Sequence, residues 1–135
     1  MFKNRILNFG LFLGMIFGFA SCNKDATPII VEEPIINIVA PAINLTFSLT
    51  AIDSILLHIQ VEDNDGLHLV VTNIYNQGGI NVFKQADHVD NMQYQLQKFF
   101  MPEKTNAECT YKLRIDAEDH SGHTANKIIW FTVNP

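Results

Sequence analysis

The chain has 135 residues, 47% of them hydrophobic and 17% charged, with a formal charge of −5. That length holds one domain and an appendage rather than two domains. The acidic balance and the lack of any basic run argue against nucleic acid as a partner, and two cysteines in all rule out a disulfide-stapled scaffold.

The first 21 residues differ in kind from the rest. Lys3 and Arg5 precede an uncharged apolar run from Phe9 to Phe19, interrupted by Gly10, Gly14 and Gly18. A basic start, an apolar stretch of about 7–15 residues and small residues before a cut define a secretory signal. A permanent membrane-spanning helix needs roughly 20 residues. Ala20-Ser21-Cys22 follows directly. Here the segment resembles the signal of bacterial lipoproteins, in which two small residues precede an invariant cysteine; Phe19 stands where leucine is usual. The resemblance implies that residues 1–21 are removed and that Cys22 becomes the lipidated first residue of the mature chain. Two or three acyl chains anchor stably where one does not. The other reading is an ordinary secreted protein in which Cys22 is structural. Cleavage would remove Lys3 and Arg5 but none of the 14 acids, taking the charge from −5 to −7. With Cys22 lipidated, Cys109 has no partner in the chain; it is expected to be a buried small apolar residue, or else to pair between molecules.

Residues 22–34 read as the lipidated cysteine and an extended tether, framed by Pro28 and Pro34. Lys24-Asp25 resembles the short charged signals that send some lipoproteins to the outer face of the cell, and reads equally as solvated linker. From Ile35 the pattern is β. Ile35–Val39 is a short strand before Pro41, and Leu45, Phe47 and Leu49 alternate with polar residues. After Asp53-Ser54, the residues Ile55, Leu57, Ile59 and Val61 share one face. Asp63-Asn64-Asp65-Gly66 is read as a chain-reversing turn, because Asp and Asn bond their own backbone and Gly takes positive φ. Leu67–Tyr75 is apolar on both faces, as a central strand would be, and Asn76–Gly79 breaks it. Ile80–Phe83 and Gln93–Met101 are read as two separate strands. Tyr111, Leu113, Ile115 and Ala117 alternate cleanly with charged residues. Ala125–Val133 closes the chain, with Ile128 and Trp130 opposite the face of Ile129, Phe131 and Val133. These seven or eight strands, with turn signals about every 8–12 residues, predict an all-β antiparallel sandwich over residues 35–135.

Three stretches carry a family resemblance: Val61–Leu67, Tyr111–His123 and Ile129–Val133. Together they resemble the immunoglobulin-like and cadherin-like modules of bacterial surface lipoproteins. In those modules a strand ends in an Asp-Gly turn, and a Tyr-x-Leu-x-Ile-x-Ala-x-Asp strand enters a Gly-Asn hairpin. His123 stands where that hairpin usually has Asn. The resemblance implies an Ig-like (cadherin- or fibronectin-like) sandwich and an envelope location at the outer membrane, facing the periplasm or the cell surface. Its motifs are structural and say little about function. Tyr111, near the start of the penultimate strand, is either a tyrosine corner whose hydroxyl caps a loop or a plain core aromatic.

In an Ig-type sandwich the 63–66 turn and the last hairpin lie at the same end. Asp63, Asp65, Glu118 and Asp119 are therefore candidate Ca²⁺ ligands, an ion that takes six to eight oxygens. Asp63-x-Asp65-Gly66 also resembles the start of a cadherin-type calcium site. The competing reading is that these residues simply form turns, since a complete EF-hand loop is absent. His68, His120 and His123 gather at the same end and form a second candidate set, for Zn²⁺ or Cu²⁺. No Gly-x-Ser-x-Gly elbow, His-Glu-x-x-His pair or phosphate-cradling glycine loop is present, so no enzyme is expected. The expected function is a lipid-anchored module that binds an envelope protein or glycan through loops, edges or a patch at Ile128 and Trp130. A small metal-binding lipoprotein is the alternative.

Overall fold

The computed structural model describes residues 32–135, so Cys22 and the signal and most of the tether lie outside the described residues. Six strands follow one another: β1 (Ile35–Ala40), β2 (Thr46–Ser48), β3 (Ile55–Tyr75), β4 (Asn81–Phe100), β5 (Cys109–Asp119) and β6 (Thr124–Asn134). No helix among the described residues is long and apolar enough to cross a membrane. β3 and β4 form a long hairpin that belongs to both layers. The first part of β3 pairs with β1, with Ile36 opposite Val61. Its last part pairs with β5, with Val70 opposite Ala117. β4 follows β3 along its other side, from Ile55–Phe100 to Tyr75–Asn81. β5 continues to β6 and β6 to β2, the last pair being parallel.

The strand count is lower than the sequence suggests because two segments are continuous. Asp63–Gly66 does not reverse the chain. The register slips between Glu62 and Leu67 and again between Leu67 and Leu69, so β3 bends there and passes from one layer to the other. The turn chemistry is present but bends a strand. Asp63 Oδ1 accepts from Asp65 N at 2.8 Å, and Gly66 has φ +91°. The inward set also changes parity, from Ile55, Leu57, Ile59 and Val61 to Val70, Thr72 and Ile74, because an inserted residue flips every later side chain across the sheet. Residues 84–92 likewise join the two short strands expected at 80–83 and 93–101 into β4. Side chains of its two halves meet across the bend: Lys98 Nζ donates to Gln85 Oε1 at 2.8 Å, and the Tyr94 hydroxyl donates to Asp87.

The core closes between the layers. Leu57, Ile59, Val70, Ile74, Leu113 and Ile115 are fully enclosed. Tyr111 stacks on Phe131 with centroids 5.5 Å apart, and Phe100 meets both rings edge-on. Burial, with Cys109 alongside, pushes the Tyr111 phenol up to about 12. Cys109 itself is half-buried against this core and has no disulfide among the described residues.

Candidate functional site

The bend of β3 and the β5–β6 hairpin lie together. Leu67 pairs with Asp119, and His120 N donates to Gly66 O at 3.0 Å. The expectation that these two segments share one end therefore holds, but the ligand sets drawn from them do not assemble as expected.

Asp119 is the pivot of the hairpin. Its side chain is 1% exposed. Oδ1 accepts from His123 N at 2.7 Å, and Oδ2 lies 2.6 Å from His123 Nδ1. Burial opposes the charge, but the bonds from the His123 ring and backbone and from the Ser121 backbone outweigh it and hold the carboxyl below its ordinary value. Asp119 is thus committed to the turn. Glu118, its neighbour, points to the opposite face of β5, since successive strand residues alternate. There it lines a shallow depression of about 270 Å³ with Leu69, Val71 and Thr124. Asp63 is buried and caps Asp65, whose side chain is exposed. Asp63 and Asp65 thus sit in the bend of β3, and Glu118 and Asp119 on opposite faces of β5. Among the described residues, no group of three or more His, Cys, Asp or Glu side chains has its donor atoms placed to hold an ion.

The histidines also regroup. His123 is taken by Asp119. His88, from the middle of β4, stands in its place: its ring centroid is 4.2 Å from that of His68, which is 5.3 Å from that of His120. Asp90 Oδ1 lies 3.6 Å from His120 Nε2. The pattern of separate short strands left His88 unassigned. Continuing the β3–β4 pairing beyond Phe83 would have brought it opposite Leu69, the residue beside His68.

Two surfaces remain open. On the outer face of β6, Ile128 and Trp130 are 43% and 48% exposed, as expected from their alternation. Lys112 Nζ sits 4.7 Å from the Tyr75 ring centre and 5.9 Å from that of Trp130, bridging the two aromatics. The second is the outer edge of β4. Among the described strands, β4 pairs with β3 alone, which leaves its other edge unpaired along 20 residues. A depression of about 470 Å³, lined by Asn37, Gln60, Asn91, Gln93 and Gln95 among others, lies across β1, β3 and β4.

This is the architecture of an all-β, immunoglobulin-like sandwich. Among solved structures, the chain is similar to CopC from Methylosinus trichosporium OB3b, at 16% identity and TM-score 0.49, over 76% of this chain and 95% of that one. It is also similar to the E. coli chaperone DraB, at 10% identity and TM-score 0.48, and to the periplasmic chaperone SfaE, at 11% identity and TM-score 0.50. Each of these two matches covers 76% of this chain but only 55% and 56% of the chaperone chains. At such identities the likeness is one of fold. No family model matches the chain, and no curated protein matches its sequence.

Proposed function

We propose that the chain is a bacterial envelope lipoprotein, anchored through Cys22, whose Ig-like module binds an extended segment of a partner protein by strand addition along β4. The observation that carries this reading is the unpaired edge of β4. Its outward N–H and C=O groups form a row of donors and acceptors that an incoming strand would pair. Natural edges are guarded by charge, proline or bulges. β4 has Lys84, Asp87, Asp90 and Lys98, but Asn91–Gln97 between the last two has neither charge nor proline. Gln93 and Gln95 are exposed there. Met92, Phe99 and Met101 are 58%, 67% and 76% exposed and offer apolar contacts for an added strand's side chains.

Site-specific photocrosslinking in intact cells tests this. A crosslinking residue at position 95 is expected to trap a discrete protein adduct, whereas one at position 130 traps none. Adding Gln93→Lys and Gln97→Lys is expected to abolish the adduct by charging the edge. Adducts at position 130 alone would place binding on the Trp130 face instead, and an adduct at 95 that ignores both lysines would rule out strand addition along β4.

A further inference from the structure

We propose that the strand added along β4 is the β4 of a second copy of this chain, paired antiparallel about a two-fold axis at Tyr94. The pairing presupposes strand addition at that edge and names its occupant. Among the described residues, β1 pairs with β3 and β3 with β4, and β4 closes that layer. Two copies joined there would share one six-stranded sheet, with the two β4 strands at its centre.

The edge is complementary to itself in charge and in hydrogen bonding. Asp90 and Lys98 stand at equal distances on either side of Tyr94, so Asp90 of each copy would face Lys98 of the other, twice by symmetry. Residues directly opposite have Cβ atoms about 4.5–5.5 Å apart, where opposite charges attract and like charges repel. Both side chains are exposed. The pairing of β4 with β3 slips between His88 and Asn91, so the regular run starts at Asn91, with Asp90 and Lys98 bracketing it. Within the run the same axis sets Asn91 against Gln97 and Gln93 against Gln95. All four are exposed amides, and an amide carries both donors and an acceptor, so it can pair with its own kind. Gln95 Nε2 lies 2.8 Å from His58 Nε2, which leaves the Gln95 oxygen as the acceptor. On the other face of the strand Met92, 58% exposed, would lie against Leu96 of the second copy. Moving the axis to Gln93 or Gln95 would set Lys98 against His88 or Met92 and lose both ion pairs, so the charges specify the register.

The test uses the full chain in intact cells, as two copies with different epitope tags and a crosslinking residue at position 95 of one. The expected product carries both tags at the mass of two chains. Asp90→Lys in both copies, or Lys98→Asp in both, should reduce it at least fivefold, because each change sets like charges opposite. Asp90→Lys in one copy with Lys98→Asp in the other makes both pairs attractive again and should return the yield to at least half that of the parent, a rescue that misfolded variants would not give. An adduct at 95 that holds one tag and a different protein would overturn the second copy as occupant and leave strand addition standing, whereas no adduct at 95 would remove both. A two-tag adduct indifferent to the single charge reversals, or one that the mixed pair does not restore, would overturn pairing about Tyr94.

Discussion

Asp119 shows how one buried carboxylate can organise a hairpin. The His123 ring and backbone approach its two oxygens, and the Ser121 backbone adds a third bond. Because the folded carboxyl titrates below its unfolded value, the folded state binds fewer protons around that range. The associated stability is therefore fully present above the unfolded value of about 4, and it is lost as pH falls through the lower folded value. Asp119→Asn keeps an acceptor for His123 N but removes the charge. The variant should melt below the parent at neutral pH. The gap should close as the pH falls below about 4, where the parent also loses its charge. A series of thermal melts from pH 7 to pH 2 checks this; a gap that stays constant would assign the loss to packing.

At the scale of the element, the bend in β3 decides the architecture. A straight strand of 21 residues would run out of one layer; bending at Asp63–Gly66 lets the same strand serve two. Gly66 is needed for this because its φ of +91° is one that side chains rarely adopt; an added Cβ would touch His120 Cδ2 at 3.4 Å. Gly66→Ala should therefore cost about 1–2 kcal/mol, seen as a lower denaturant midpoint. Gly79→Ala carries similar φ strain but lies in the loop between β3 and β4, which can relax more readily than a paired strand, so it should cost less. The same bend explains what the sequence could reveal. Alternation located Ile55–Val61, Tyr111–Ala117 and Ile129–Val133 correctly, because burial on one face writes itself into period 2. Asp63–Gly66 has the local chemistry of a turn, and nothing in its residues distinguishes bending from reversal; only pairing with β4 and β5 does. The candidate ligands failed to converge for the same reason. Sequence proximity placed Glu118 beside Asp119, and strand alternation sent them to opposite faces. His88 was hidden in a stretch with no clear period, and its neighbour across the sheet depends on β4 being continuous.

For the whole molecule, the open edge and the proposed anchor would be linked. A long edge strand free in solution invites association with other copies, and the proposed tether at a membrane surface would confine where β4 can meet a partner. From Cys22 to Pro34 the chain can extend at most about 40 Å, so an anchored module would act close to the bilayer. The proposed anchor has a direct consequence. The parent chain, expressed in a bacterial host and fed an alkyne-bearing palmitate, should take up label and sediment with membranes. Cys22→Ser should lose the label and appear in the soluble fraction, because it would lack the acyl chains proposed to hold the parent at the membrane. The folded module should be unaffected, since Cys22 precedes the first described strand, which starts at Ile35, in the sequence. If Cys22→Ser fractionates with membranes as the parent does, the cysteine is structural and the leader is that of an ordinary secreted protein; the β4 edge would then have to find its partner without confinement at a surface.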